Sequence, residues 1–473
     1  MARTILRRST DTAIAFAVLA MVHGSCTVGD DYEPPTVDLP TSYRDEEAAA
    51  GESMASLPWP ELYPDPVLQE LIRESLLHNR DLLVAVERID EARARVGIAR
   101  ADLWPMFAAS ASAGSERASA ESLPAGFPSN NLERNVYGLG ASMRWEIDLF
   151  GRIRRASEAQ QAQLLAAEYT RRAIVLALVA DVSRAYVELR DFDRRLDIMN
   201  QTVSSRRAYL ELVRVRFEGG LTSELDLRQA EAELHRTESQ AHEFERLQVQ
   251  KENELNLLLG RNPQPIPRGK LIAELPRPEA VPAGLPSDLL LRRPDLAAAE
   301  QALVASNARV GEAKALLYPS FSLTGFLGFQ STELSDLANA PARTFSLSAD
   351  VLQPIFNSGQ LQGRVEVAEA QARQVLLGYE QAILAALRDV EDSLVRYRKF
   401  GDRRATESLR VAAQQKVLDL AEIRYRGDVS PYLDVLDAQR QLLDAELNEA
   451  SAIRDQYLAL ILLYKSLGGG FEP

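Results

Sequence analysis

Three carboxylates, Asp428, Asp434 and Asp437, stand close together around one proline in "YRGDVSPYLDVLDAQ" (425–439). Acids grouped in this way do one of three kinds of chemistry. Two buried carboxyls with pKa values driven apart act as general acid and base; acids joined by histidines hold a metal; acids around an axis attract cations. Asp434 and Asp437, spaced i,i+3 at a helix start, share a face, but a tip offers catalysis no obvious cleft. Helix starts also favour acids for dipole reasons, so capping and solvation is the plain alternative. For a metal, the chain beyond its leader offers only His78, His235 and His242. The last two are seven apart, with no carboxylate–histidine cluster at ligand spacing, so no metal and no cofactor is expected. Gly219-Gly220 lies between two helices without the lysine of a phosphate-cradling loop, and no nucleophile elbow is present. A net charge of -14 disfavours nucleic acid.

The elements that would position these acids begin with a leader. Arg3, Arg7 and Arg8 precede the apolar run "AIAFAVLAMV", which is about half a bilayer span, so residues 1–25 read as a secretory signal peptide, with a retained anchor as the alternative. Cys26 is the only cysteine, which excludes an intrachain disulfide. "GSCTVGDDYEPP" resembles a bacterial lipobox and tail, making Cys26 the candidate lipidation site, although His23 stands where Leu is usual.

The remainder is two copies of one plan. "ARVGIARADLWPMF" (94–107) and "ARVGEAKALLYPSF" (308–321) are identical at nine of fourteen positions, and "RFEGGLTSELDLRQAEAEL" (216–234) pairs with "RYRGDVSPYLDVLDAQRQL" (424–442) at an offset of 208. Each copy predicts a helix (roughly 64–103, or 288–317) that stops at Trp104-Pro105 or Tyr318-Pro319. Strands follow: "YGLGASMRWEIDLF" (137–150) alternates apolar and polar residues, and "FSLTGFLGF" and "FSLSADV" do so less strictly. Some 65 proline-free residues then run from Gly151 and from Gly359, each a helix of about 100 Å, before a glycine-bearing tip and a return helix. The expected organisation is a signal peptide (1–25), a lipid-anchored N-terminal segment (26–63), repeat 1 (64–261; strands about 105–150, helical hairpin 151–260), a proline-rich connector (262–287) and repeat 2 (288–473; strands about 319–356, hairpin 358–467, then a tail).

Four strands are too few to close a membrane barrel, which needs about eight. Their apolar faces therefore call for several chains that each give two hairpins to one barrel, with an ordinary α+β core as the alternative.

"PAGLPSDLLLRRPDL" (282–296), "GEAKALLYPSFSLTGFLG" (311–328), "RWEIDLFGRIRRASEAQQA" (144–162), "QPIFNSGQL" (353–361) and "LGGGF" (467–471) together resemble the outer-membrane efflux protein (TolC-like) family, in its lipoprotein branch serving resistance-nodulation-division pumps. The resemblance implies a fold that mixes an all-α helical barrel with a transmembrane β-barrel. Each chain would hold two tandem repeats, and a homotrimer would form one twelve-stranded barrel and a helical duct. It further implies an outer-membrane, lipid-anchored channel extending into the periplasm, doing no chemistry and working with a periplasmic adaptor and an inner-membrane transporter. By motif match, the gate falls on Tyr425, Leu433, Asp434 and Asp437, with adaptor contacts at Gly219, Gly220, Arg424, Arg426 and Gly427. Two other functions stay open, a protein-secretion duct on the same fold and a periplasmic coiled-coil protein without a pore. The transported compound is not legible.

Overall fold

A computed structural model of the chain describes residues 27–44, 53–117, 119, 133–275, 281–284 and 286–470. The signal peptide and Cys26 lie outside the described residues.

The elements come in two rounds. The first has α1 (Trp59–Leu62), α2 (Pro66–His78), α3 (Arg80–Ala101), β1 (Met106–Arg117), β2 (Glu133–Ile147), α4 (Arg152–Glu218) and α5 (Glu224–Leu258). The second has α6 (Asp288–Arg292), α7 (Pro294–Ala315), β3 (Ser320–Ser331), β4 (Arg343–Leu352), α8 (Gln360–Arg426) and α9 (Tyr432–Ser466). In both rounds the long helix has 67 residues and the return helix 35.

The single helix expected through 64–103 is two. Asn79 takes an extended ψ of 128°, and its Oδ1 accepts from the N–H groups of Asp81 and Leu82 at 3.0 and 3.1 Å, so it ends α2 and caps α3. The helix expected at 288–317 divides as well, because Pro294 has no N–H with which to continue α6 and instead starts α7. Gly260 and Gly468 fit close against these breaks with φ of 70° and 75°. A Cβ would lie 2.2 Å from His78 O at the first and 2.5 Å from Arg292 O at the second. Positive φ and the close approach together require glycine there.

The strands form one antiparallel sheet in the order β1-β2-β3-β4, and among the described residues the outer edges of β1 and β4 pair with no strand. Residues opposite one another share a face. One face therefore stacks Phe107, Met143, Gly325 and Leu347 in one row, then Ala109, Ala141, Leu327 and Phe345 in the next. The other stacks Met106, Arg144, Thr324 and Ser348, then Glu146, Ser322 and Asp350. Leu327, Phe345 and Leu347 are exposed in the single chain. Among the described residues, no helix is long and apolar enough to cross a membrane.

The chain divides into two compact units. One gathers residues up to Thr36 with Arg88–Ala167 and Ala299–Tyr379, and holds the sheet. In it the N-terminal segment is strapped down: Val28 N–H donates to Phe150 O at 3.0 Å, and the buried Arg155 donates to Val28 O, Gly29 O and Asp31 at 3.2, 2.7 and 2.9 Å. The other unit comprises Val37–Glu87, Glu168–Ala298 and the residues from Glu380. Its core joins Leu68, Ile72, Val182, Tyr186, Leu255 and Ile461. Beside that core the buried Asp65 accepts from Tyr186 Oη, Val67 N–H and Lys270 N–H at 2.9, 2.9 and 3.0 Å. The two tips that hold the candidate site belong to this second unit.

Candidate functional site

Each long helix ends in the same reversal. At the first tip Leu221 N–H donates to Arg216 O at 2.8 Å and Gly220 has φ 71°; at the second, Val429 N–H donates to Arg424 O at 2.9 Å and Asp428 has φ 55°. Asp428 thus holds the left-handed position that glycine holds in the other copy, which short polar side chains tolerate.

The return helices start differently, and the difference decides which acids are free. At the first tip Ser223 is the N-cap in a reciprocal capping box with Asp226. The Asp226 carboxylate accepts from Thr222 Oγ1, Ser223 Oγ and Ser223 N–H at 2.6, 2.8 and 3.2 Å. Burial raises its pKa, but these hydrogen bonds outweigh that and the net shift is downward. At the second tip the N-cap is Pro431, which offers no side-chain hydrogen bond. Its first-turn acid, Asp434, stands 208 residues after Asp226. It is exposed, and among the described residues its carboxylate has no hydrogen bond or ion pair. The Asp437 carboxylate is exposed and bare in the same sense.

These two acids open into a concavity of 610 Å³ lined also by Leu433, Arg424 and Arg440. Two arginines therefore share the wall with two acids. Arg440 is held from behind by Glu233 of α5, whose Oε1 accepts from Arg440 Nε at 2.8 Å and from Arg440 Nη2. Glu233 is 4% exposed and also accepts from Arg206 of α4 and from Arg236. Burial pushes its carboxyl up, but the hydrogen bonds from Arg440 and Arg236 and the charge of Arg206 bring it down to about 2. A buried carboxylate is tolerated only because it is met from several sides.

Beneath the concavity, Tyr209, Tyr425 and Tyr432 pack with ring centroids 5.8 to 6.4 Å apart against Val213, Leu227, Val435 and Leu436. Burial pushes the Tyr432 hydroxyl up to about 12. Arg216 lies over the Tyr425 ring at 4.9 Å and pairs with Asp428.

Of the residues expected at a gate, the concavity gathers Leu433, Asp434 and Asp437 together with Arg424, while Tyr425 is buried at 4% exposure in the tyrosine stack. Gly219, Gly220 and Gly427 form the exposed turns, and Arg426 pairs with Glu422 of its own helix at 3.2 Å. Sequence reading missed Arg216, Glu233 and Arg440. A signal existed for Arg216, which stands 208 residues before Arg424. None existed for Glu233 and Arg440, which are 207 residues apart and are not repeat equivalents. His235 and His242 each lie beside a glutamate three residues on, and among the described residues no group of three or more His, Cys, Asp or Glu gathers in a metal-holding cluster.

A family model described as outer membrane efflux protein matches residues 71–261 and 285–469, one block in each repeat. The toluene efflux pump outer membrane protein TtgI of Pseudomonas putida is 33% identical over 464 residues, covering 97% of each chain. Outer membrane protein OprJ of Pseudomonas aeruginosa is 33% identical over 469 residues, 97% of this chain and 96% of that one. Among solved structures, the outer-membrane channel OprN matches with a TM-score of 0.86 at 33% identity, covering 94% of this chain and 99% of that one. The open state of the Neisseria gonorrhoeae MtrE outer membrane channel matches with a TM-score of 0.85 at 30% identity, covering 94% and 98%.

Proposed function

The chain belongs to the outer membrane efflux protein family and is an outer-membrane efflux channel, and from that premise we propose how it is assembled, partnered and gated. Of the functions left open by the sequence, membership selects the efflux duct over a secretion duct or a poreless coiled coil. Three copies close one twelve-stranded barrel, the unpaired edge of β1 in one copy meeting that of β4 in the next. This edge pair is the observation that carries the reading, because a four-stranded sheet with an apolar face and two open edges is complete only in a ring. Cys26 carries the lipid that ties each copy to the membrane.

The duct performs no reaction. A periplasmic adaptor binds the tips at 216–223 and 424–431, and an inner-membrane resistance-nodulation-division transporter supplies the energy. Three copies of Leu433, Asp434 and Asp437 line the periplasmic aperture, where clustered carboxylates favour cations. Gene deletion followed by exposure to drugs, dyes, metal ions and an organic solvent such as toluene tests the duct, with sensitisation to at least one class expected. Unchanged tolerance throughout, or the absence of heat-modifiable trimers from outer-membrane fractions, would defeat this reading.

A further inference from the structure

We infer that Glu233, a buried residue outside the concavity, sets the ion preference of the aperture by keeping Arg440 from pairing directly with Asp437. The inference rests on the gate reading above, and makes Glu233 a positioning residue for it.

Arg440 follows Asp437 by three residues on α9, a spacing at which helical side chains are neighbours. Elsewhere in this chain, aspartate and arginine in that order and spacing pair directly in two places, Asp90 with Arg93 at 2.5 Å and Asp181 with Arg184 at 3.4 Å. At Asp191 and Arg194 other partners compete, Arg195 and Arg454 taking the aspartate and Asp197 the arginine. Asp437 and Arg440 do not. Arg440 turns the Nε and Nη2 side of its guanidinium to Glu233 instead, on another helix hairpin. The choice follows from the surroundings, since the Glu233 carboxylate is buried and its attraction is less screened than that of the exposed Asp437. Asp437 is therefore left without a hydrogen bond or ion pair, and Arg440, on the wall of the same concavity, acts on it only through its charge. Without the Glu233 charge, Arg440 defaults to its helical neighbour, and each subunit loses one free acid at the ring.

The full-length trimer, reconstituted in planar bilayers under a KCl gradient, reports cation preference as a reversal potential. Glu233→Gln is expected to lower the potassium-to-chloride permeability ratio roughly twofold, and adding Arg440→Gln is expected to restore it, because the released arginine is the agent. A wild-type ratio in Glu233→Gln, or a double variant as low as the single, overturns the inference. Should Glu233→Gln fail to form trimers, Arg440→Gln alone, at a half-exposed position, is expected to raise the ratio, and an unchanged or lower ratio overturns it. Asp434→Asn with Asp437→Asn separates the two levels. If that pair leaves the ratio at wild type, the gate reading fails; if it shifts the ratio while Glu233→Gln does not, only the role of Glu233 falls.

Discussion

Arg216, at the end of α4, reaches across to Asp428, in the turn after α8, so that an ion pair joins the two hairpin tips of one chain. The arginine is largely covered and stacked on Tyr425, whereas the aspartate is 70% exposed. A pair this open contributes about 0.5 kcal/mol; over three copies that is about 1.5 kcal/mol, roughly tenfold in an equilibrium between closed and open tips. Asp428→Asn, which keeps a residue tolerant of positive φ, should therefore leave trimer stability unchanged and raise channel open probability by that order. Asp428→Gly should match it, although glycine suits the turn better. Single-channel recordings in which both variants behave as wild type would show that the pair does not restrain the tips.

The exposed acids should restrict flow through the aperture. Asp434→Ala with Asp437→Ala is expected to raise ion conductance and abolish cation preference in planar bilayers. Unchanged values of both would remove these residues from the gate.

Pro431 keeps Asp434 free by withholding a cap. Pro431→Ser re-creates the Ser223–Asp226 arrangement of the first tip, drawing the Asp434 carboxylate back onto the helix start. A cap of this kind adds about 1 kcal/mol to the hairpin. Thermal stability should rise while cation preference falls, and a variant that gains stability with its selectivity intact would refute the link.

The two faces of the sheet should respond oppositely to charge. Leu327→Arg places a guanidinium on the apolar row beside Phe345, at a cost of about 2–4 kcal/mol if it lies near the bilayer midplane. Thr324→Arg, on the row of Arg144 and Ser348, should be tolerated. The yield of heat-modifiable trimers in outer-membrane fractions distinguishes them, and equal yields would reverse the assignment of faces.

Acid should loosen the hairpins through Glu233. Its folded value of about 2 lies below the ordinary 4.5, so its contribution is complete above 4.5 and is lost as pH falls through 2. Denaturant midpoints of the solubilised protein should drop over that window, and less steeply in Glu233→Gln. Parallel slopes for the two proteins would mean that other carboxylates carry the acid sensitivity.

How much of this was legible follows from what repeats. "LG" stands at 259–260 and again at 467–468, at the same offset of 208 as the tips, and the structure adds why glycine stands there, against His78 O and Arg292 O. Period-two alternation gave the strands, and the offset of 208 aligned the tips. Asn79 escaped because an asparagine between two apolar-periodic runs reads as helix interior until its side chain is seen capping the second. The tyrosine stack escaped for another reason: Tyr209, Tyr425 and Tyr432 come from three helices, and nothing in local periodicity announces a meeting of that kind. The bareness of Asp434 and Asp437 was hidden too, since it depends on what neighbouring side chains choose to bind.

The open edges of β1 and β4 have a genetic consequence. In the proposed three-copy ring each copy serves two seams, so a subunit with one spoiled edge should disable every ring that it enters. An allele of that kind, expressed beside an intact one, should behave as a dominant inhibitor, sparing only about one ring in eight at equal dosage and free mixing. Alleles that merely prevent folding should be recessive, so dominance in a merodiploid sorts lesions of the seam from lesions of the subunit.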